Sequence, residues 1–225
     1  MKVLIINGSP RIKGNSSTLV KELEAVFLKE NIEVDNYQIA SKAIRGCMAC
    51  NYCYEHHECV FKDDVNDLAK RFQESDGLIV ISPVYYGSAN GSLISLLDRL
   101  FYSSSFSKKF KVGAAFAIAR RGGTTATFDE LNKYFTISQM PIASGRYWNN
   151  GFGRSEGQIN QDEEGLQNAR IVARNMVFLM KAIKDAKEKY GLPETEEIKF
   201  THFIKPEFGI HPQIVVLKLD LKQIV

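Results

Sequence analysis

Short apolar runs alternate with amphipathic stretches along most of the chain. Two of these runs, Gly77 to Ser82 and Lys111 to Ala119, are apolar at nearly every position instead of every second one. Consecutive apolar residues are typical of strands in a parallel sheet that is covered on both faces. With three further runs, they predict five strands. The other three are Lys2 to Ile6, Ile32 to Ile39 and a segment around Gln139 to Tyr147.

The amphipathic stretches between these strands have helical spacing. After the first strand, apolar residues recur at helical intervals from Leu19 to Phe27, and Asn15, Ser16 and Ser17 are candidate N-caps. The same periodicity predicts four more helices. They lie after Asp63, around Leu93 to Leu100, around Thr127 to Phe135, and from about Glu163 to Tyr190.

This order of strands and helices predicts an α/β fold, with a doubly wound, five-stranded parallel sheet and helices on both faces. Residues 1–190 are predicted to form this domain, with a cysteine-rich insertion at residues 46–60. Residues 191–225 are predicted to be a C-terminal extension. In it, Leu217 to Leu221 alternate as an edge strand does, so we expect an edge strand or an oligomer contact there.

Length and charge exclude several classes of protein. The chain has 225 residues, 44% of them hydrophobic, which excludes a disordered chain and fits about one domain. Its 29 basic and 26 acidic side chains leave a net charge of +3, so we expect no nucleic-acid partner. No apolar run approaches the roughly 20 residues of a membrane span, and the N-terminus does not resemble a signal peptide. We therefore expect a cytoplasmic protein without a membrane partner.

The loop after the first strand is rich in hydroxyl side chains and leads directly into a helix. Residues 8–18 contain neither the Gly-Lys-Ser/Thr ending of a Walker A loop nor a Gly-x-Gly-x-x-Gly fingerprint. Unpaired N–H groups at a helix N-terminus, together with hydroxyl donors, bind phosphate oxygens. The loop therefore predicts a cradle for a monophosphate held without Mg²⁺. The alternative is an ordinary serine-rich N-cap.

Two more loops should meet the first one, because ligands of such sheets bind outside the carboxyl ends of the strands. After the third strand, residues 83–91 place Tyr85 and Tyr86 beside small residues, which suits a flat heterocycle. The alternative is that both tyrosines are rim residues. After the fourth strand, residues 120–124 add glycine N–H donors and two cations, Arg120 and Arg121, which suit an anionic cofactor or a phosphorylated nicotinamide. The alternative is that the two arginines are ordinary surface residues.

The chain has four cysteines, all in one short segment after the second strand: Cys47, Cys50, Cys53 and Cys59. Thiols stay reduced in the cytoplasm, so this clustering indicates metal or redox chemistry ahead of structural disulfides. The spacing is close to the runs that hold [4Fe-4S] clusters. Two alternatives stay open. One is free thiols without metal, and the other is zinc, bound by four thiolates or by three with His56 or His57.

Two motifs resemble those of the flavodoxin-like NAD(P)H-dependent FMN reductases, over roughly residues 1–185: Gly8-Ser9-Pro10-Arg11 with Gly14-Asn15-Ser16, and Ser82-Pro83-Val84-Tyr85-Tyr86-Gly87. The resemblance implies a flavodoxin-like fold with FMN as the cofactor. For the FMN phosphate it implies a site formed by Ser9, Arg11, Gly14, Asn15, Ser16, Ser17 and Thr18. For the flavin ring it implies a site formed by Pro83, Val84, Tyr85, Tyr86, Gly87, Ser88, Arg121, Gly122 and Gly123.

Within the same superfamily, the spacing of the four cysteines resembles that of the iron-sulfur flavoproteins, which implies a [4Fe-4S] cluster on them. The resemblance also implies a homodimer or a homotetramer. In such an assembly, the loop that carries Tyr147 and Trp148 is expected to cover the flavin of a neighbouring subunit.

The leading functional expectation is an FMN-dependent oxidoreductase. In it, NAD(P)H delivers hydride to the flavin, and the reduced flavin passes electrons to a second acceptor, either a small molecule or a protein. Since the flavin carries the chemistry, no side chain is assigned a catalytic role. One alternative is an iron-sulfur flavoprotein that carries electrons between ferredoxin-like donors and its acceptor. Another is a non-enzymatic flavin-binding or redox-sensing module.

Overall fold

A single five-stranded sheet forms the centre of the protein, in a computed structural model that describes residues 1–199. Its strands lie in the order β2-β1-β3-β4-β5, and every neighbouring pair is parallel. This confirms the predicted doubly wound parallel sheet. The strands are β1 (Lys2–Asn7), β2 (Glu33–Gln38), β3 (Gly77–Pro83), β4 (Val112–Ala119) and β5 (Asn150–Phe152).

Helices cover both faces of this sheet. The helices are α1 (Asn15–Lys29), α2 (Tyr52–His56), α3 (Asp64–Gln73), α4 (Gly91–Ser103), α5 (Thr124–Ile137) and α6 (Glu163–Tyr190), with a 3₁₀ turn at Gln158–Gln161. One hydrophobic core joins α1 and α6 to the sheet, and a second core joins α3, α4 and α5 to the opposite face. Among residues 1–199, none of the helices is both long and apolar enough to cross a membrane.

The consecutive apolar residues of the central strands are explained by these two cores. In β1, Val3 and Ile5 point into the core with α1 and α6, whereas Leu4 and Ile6 point into the core with α3, α4 and α5. Since a strand alternates its side chains between faces, a strand buried on both sides needs apolar residues at every position. The same holds in β3 and β4, where every residue is buried except Pro83, which is half-buried.

The position of the fifth strand was predicted wrongly. Within Gln139 to Tyr147, only Ile142 forms a bridge, with Gly113 at the start of β4, and the strand proper is Asn150–Phe152 at the other end of β4. Residues 144–148 leave the sheet between these two points, and a side chain of α6 binds part of their backbone. The Asn168 amide oxygen accepts from the backbone N–H groups at positions 146 and 147, at 2.8 and 3.2 Å.

The predicted extension starts where α6 ends. Residues 191–199 form neither helix nor strand and are exposed. The edge strand expected at Leu217 to Leu221 lies outside the described residues, and the division of the chain at residue 190 stays a prediction.

The sheet changes winding direction between β1 and β3. β1 is followed by α1 on one face, whereas β3 is followed by α4 on the other. The two connections therefore diverge at the carboxyl edge, which is where open sheets of this type bind ligands. They start in contact, because the Gly8 N–H donates to the Ile81 carbonyl at 2.8 Å.

Candidate functional site

The loop after β1 ends at a helix N-terminus that has no side-chain cap. Helix α1 begins at Asn15, so its N-cap is Gly14, and no side chain of residues 1–199 accepts a hydrogen bond from the first turn there. The first turn also contains no acidic residue. The expected capping by Asn15, Ser16 or Ser17 was therefore wrong, because these residues already lie inside the helix. The Ser17 and Thr18 N–H groups donate to the Gly14 carbonyl, at 3.0 and 3.3 Å, so the backbone N–H groups left for an anion are those of Asn15 and Ser16.

Hydrogen bonds within the loop fix its shape. The Ser9 hydroxyl accepts from the Arg11 N–H at 3.2 Å, and the Ser9 N–H donates to the Asn7 amide oxygen at 3.0 Å. From β2, the Gln38 amide donates to the carbonyls of Ser9 and Arg11, at 3.1 and 2.9 Å. Contacts within the protein therefore hold the loop, and a loop held in one conformation lowers the entropic cost of binding.

The side chains predicted to bind phosphate do not all have the same role. Asn15 and Ser16 are buried, and the Asn15 amide oxygen accepts from the Ile159 N–H at 3.2 Å. The Ser17 hydroxyl accepts from the Asn7 amide at 3.3 Å, and Thr18 is half-buried. Arg11 is exposed at the rim. The first turn thus offers its backbone N–H groups, while several of its side chains hold the loop together.

The loop after β3 contains a tight turn with a strained backbone. Tyr85 and Ser88 exchange two backbone hydrogen bonds, at 2.9 and 3.1 Å, around Tyr86 and Gly87. Both central residues have positive φ, +51° at Tyr86 and +78° at Gly87, as a type I′ turn requires. Positive φ is uncommon for a tyrosine and is a form of strain that clusters at functional sites. The turn projects Tyr86 fully into solvent.

This turn is fastened to the elements on either side. The Glu130 carboxylate of α5 accepts from the Ser88 hydroxyl at 2.8 Å and from the Ala89 N–H at 2.9 Å. The Ser82 hydroxyl accepts from the Asn90 N–H at 2.9 Å, and the Asn90 side chain caps α4. Glu130 was not anticipated from the sequence, since it lies 41 residues away along the chain.

The loop after β4 lies directly against that turn. A Cβ at Gly123, where φ is +90°, would lie only 2.8 Å from the Gly87 Cα. At Gly122 a Cβ would meet nothing within 4 Å, so open space adjoins the backbone there. Arg120 and Arg121 are exposed. The structure therefore brings the second and third predicted loops together and leaves room over Gly87 and Gly122 for a ligand.

A cleft of about 590 Å³ adjoins the third loop on its far side. Thr124, Tyr147, Trp148 and Phe152 are among the residues that line it. The two neighbouring aromatic rings, Tyr147 and Trp148, lie 5.0 Å apart between centroids and are about half exposed. The exposed aromatic surface beside the carboxyl edge fits the predicted role of this loop in an assembly, which stays a prediction.

The four cysteines come together on the other side of α4. They line one small cavity with Met48, Val60, Phe61, Arg99 and Tyr102. The cavity lies against the second half of α4, since Arg99 and Tyr102 belong to that helix. All four thiols are free. The four cysteines of the predicted segment thus form one site, and the residues around it are mainly apolar.

Three residues of the cysteine segment have a left-handed backbone conformation. Ala49, Asn51 and His57 have left-handed φ angles of 54°, 58° and 58°, which non-glycine residues rarely adopt. Left-handed residues beside right-handed ones are typical of backbone nests, which bind anions and iron-sulfur clusters. The Ala49 N–H lies 3.5 Å from the Cys47 Sγ. The backbone therefore fits a group that carries negatively charged sulfur.

The four thiols of the cysteine segment are not gathered around one point. Within residues 1–199, no three His, Cys, Asp or Glu side chains lie close enough to bind one metal ion. A [4Fe-4S] cluster makes a different demand, because each of its four cysteines bonds to a different iron. Neither His56 nor His57 lines the cavity, and the His56 ring stacks on Tyr52 with centroids 3.7 Å apart.

Cys59 is held by two side chains that the sequence analysis did not single out. The Arg99 Nε–H donates to the Cys59 Sγ at 3.2 Å. The Asn66 side chain accepts from the Cys59 N–H and donates to the Cys59 carbonyl, each at 2.9 Å. Burial lowers the pKa of the Arg99 guanidinium, but its hydrogen bonds to Asp63 and Cys59 raise that pKa above its ordinary value, so it stays charged.

Comparison with known proteins assigns the family. Residues 1–154 match the model of the NADPH-dependent FMN reductase family. An iron-sulfur flavoprotein of Methanocaldococcus jannaschii is 34% identical over 192 residues, which cover 82% of this chain and 100% of that protein. The chain belongs to the NADPH-dependent FMN reductase family, close to its iron-sulfur flavoprotein branch.

Other similarities agree with this FMN reductase assignment. A second iron-sulfur flavoprotein of the same organism is 31% identical over 208 residues, which cover 85% of this chain and all of that protein. The structure of an archaeal flavodoxin superimposes with a TM-score of 0.53 at 14% identity, covering 82% of this chain and 99% of that one, which supports the fold alone. Membership of the family supports FMN as the cofactor and NADPH as the co-substrate.

Proposed function

We propose that this FMN reductase family member takes hydride from NADPH onto FMN and passes the electrons to a second acceptor through a [4Fe-4S] cluster on its four cysteines. The observation that carries the proposal is the arrangement of the carboxyl edge, where an uncapped helix N-terminus and two touching glycine loops adjoin one another. A helix N-terminus suits a phosphate, and open backbone beside aromatic side chains suits a flat ring.

The phosphate of FMN would bind at the start of α1. The backbone N–H groups of Asn15 and Ser16 would be its donors, with the Thr18 hydroxyl and the Arg11 guanidinium at the rim, while the buried Ser9 hydroxyl holds the backbone of Arg11. Asn15 and Ser16 would contribute chiefly through their backbone, because both side chains are buried. A neutral cradle with one rim cation suits a single phosphate and does not require Mg²⁺.

The ring of FMN would lie over the second and third loops. The ring edge would face backbone N–H groups of both loops, those of Tyr86, Gly87, Gly122 and Gly123, because the N–H groups of Val84, Tyr85 and Ser88 already donate to carbonyls of the protein. Tyr85 and Tyr86 would border the ring. Arg121 would meet the negatively charged part of a nicotinamide donor. When bound, FMN supplies the ability to accept a hydride and to release its electrons singly. The protein holds the loops rigidly enough to fix the ring, through Glu130 and the Gly123 contact.

The cluster would be held by all four cysteines. The left-handed backbone of the segment and the charged hydrogen bond to Cys59 fit negatively charged sulfur, and the curated relatives are named as iron-sulfur flavoproteins. A cluster supplies one-electron transfer, which divides the electron pair of a hydride into single steps. The redox partner would be a small molecule or a protein, and the chain would work as a homodimer or homotetramer.

An anaerobic mixing experiment tests the donor. The FMN-loaded holoprotein is mixed with NADPH or NADH in a stopped-flow instrument, and the flavin absorbance near 450 nm is followed. We expect NADPH to bleach the flavin at a rate that saturates with concentration. Bleaching by dithionite but by neither nicotinamide would contradict the proposed donor.

A second candidate function shares the same site. Because the curated relatives are iron-sulfur flavoproteins, the chain could instead receive electrons from a ferredoxin-like donor and act as an electron carrier. The experiment above distinguishes the two, since reduced ferredoxin would then bleach the flavin while NADPH would not. The non-enzymatic alternative predicts that neither donor is consumed in turnover.

A further inference from the structure

Arg99 is a buried charged residue that takes no part in the proposed flavin site. It lies on α4, its side chain is 1% exposed, and it is among the largest fully buried side chains of residues 1–199. Its neighbours along the helix, Leu96, Leu97 and Leu100, are all in the hydrophobic core. Burying a guanidinium lowers the stability of the folded state unless its N–H groups find partners. The partners therefore show what this charge is placed to do.

Those partners lie at both ends of the cysteine segment. Before the segment, the Arg45 carbonyl accepts from the Arg99 Nη1 at 3.1 Å. After it, the two Asp63 carboxylate oxygens accept from Nη1 and Nη2 at 2.6 and 2.7 Å. The Phe61 ring lies 4.9 Å from the guanidinium carbon. Arg99 therefore joins the two flanks of the segment to α4, in the bidentate geometry that only arginine provides.

The remaining contact is with a sulfur atom. The Arg99 Nε–H lies 3.2 Å from the Cys59 Sγ, so one of the four thiols has a charged donor. The backbone of Cys59 is fixed independently by Asn66, which bonds both its N–H and its carbonyl. Because the backbone is already held, the Arg99 contact acts on the sulfur itself and sets where it points and what charge it faces.

We propose that Arg99 is a positioning residue for the cluster, which orients the Cys59 sulfur and raises the reduction potential by a charged hydrogen bond to it. This inference rests on the proposed function, in which the cysteines hold a [4Fe-4S] cluster. Hydrogen bonds to cluster sulfurs and nearby charges set the potential of such clusters. Reduction brings one electron from the donor onto the cluster, and a buried cation favours that added negative charge because solvent screens it little. Asp63 partly offsets the cation.

The test is a potentiometric titration of the anaerobically prepared holoprotein, followed by the electron paramagnetic resonance signal of the reduced cluster. Arg99→Gln removes the charge and should lower the midpoint potential, by about a tenfold change in the one-electron equilibrium, or 59 mV. Asp63→Asn keeps the arginine but removes its counter-charge and should raise the potential. Opposite shifts are the signature, because general damage to the segment would not move the two variants in opposite directions.

Two more variants make the test decisive. Arg99→Lys keeps a charge beside Asp63 but has no Nε donor, so its potential should lie between those of the wild type and Arg99→Gln. If Arg99→Gln loses its iron, the potential of Arg99→Lys still tests the role of Arg99. Arg71→Gln is the matched control, because Arg71 is half-buried and pairs with Asp35 on β2. It should leave the potential unchanged.

Two results would overturn this role for Arg99. One is an unchanged midpoint potential in both Arg99 variants, and the other is a fall in the potential of Asp63→Asn. Iron and sulfide are measured first in the wild type. Iron-free wild-type protein would overturn the proposed cluster, whereas a loaded wild type with unresponsive variants would overturn only the role of Arg99.

Discussion

At the scale of single residues, Gly123 decides whether the two loops of the proposed ring site can touch. Its φ is +90°, and a Cβ would lie 2.8 Å from both the Gly87 Cα and the Val84 Cγ1. Glycine is therefore required twice, once for the left-handed backbone and once for the close approach. The adjacent Gly122 has neither constraint, because a Cβ there meets nothing within 4 Å.

Gly123→Ala should destabilise the protein without its cofactor by about 1–3 kcal/mol, since the added methyl group meets backbone that cannot move aside. The measurement is the urea midpoint of the FMN-free protein. Gly122→Ala is the matched control, and its midpoint should equal that of the wild type. Identical midpoints for both variants would contradict the contact between the loops.

Single residues also show where sequence reasoning stops. Gly122 and Gly123 were recognised as ring-site candidates, but only the structure separates the constrained glycine from the open one. Asn15 stays a predicted phosphate-site residue, but the sequence did not indicate that its amide oxygen accepts from the Ile159 N–H, 144 residues away. A partner so distant leaves no local pattern. Arg99 did leave a signal in the sequence, because it is a lone cation on the apolar face of a predicted helix.

At the scale of elements, the first turn of α1 lacks a stabilising side-chain cap and is open to an anion. Its N-cap is Gly14, with φ −76° and ψ 175°, a conformation open to any residue. A carboxylate there would cap the first turn but would also occupy the place and the charge of a phosphate. The phosphate site would thus be kept at the expense of helix capping.

Gly14→Asp should weaken FMN binding at least tenfold, by about 1.4 kcal/mol or more, relative to Gly14→Ala. Alanine is the matched control because it adds the same Cβ, which lies 3.1 Å from the Arg11 Cβ, without the charge. Without cofactor, the aspartate variant should be the more stable of the two by about 1 kcal/mol.

Riboflavin, which lacks the phosphate, separates the two ends of the ligand. Fluorescence titration should show equal riboflavin affinity for the aspartate and alanine variants. Equal FMN affinity for the two would place the phosphate elsewhere.

Helices and strands could be predicted from the sequence where their own pattern of apolar residues determines their bounds. Helix α6 was expected from Glu163 to Tyr190, and the structure has the same bounds, because its apolar stripe is long and unbroken. The fifth strand was misplaced because Ile142 and Ala143 carry a strand pattern and do bond to β4. What interrupts that strand is Asn168, which belongs to a different element and gives no signal in the strand itself.

At the scale of the whole molecule, α4 links the two proposed redox sites. Its cap, Asn90, belongs to the second loop, residues 83–91, and Arg99 contacts Cys59 nine residues later. At 1.5 Å of rise per residue, these two points are about 14 Å apart along the helix. The cysteine cavity lies against the second half of α4.

The central claim is that one chain of this family carries both FMN and a [4Fe-4S] cluster. The direct measurement is the content of FMN, iron and acid-labile sulfide in anaerobically purified protein, taken with its visible spectrum. We predict about one FMN, four iron and four sulfide ions per chain, and loss of iron but not of FMN in Cys59→Ser. Protein that binds FMN but holds neither iron nor sulfide, even after anaerobic reconstitution, would contradict the account.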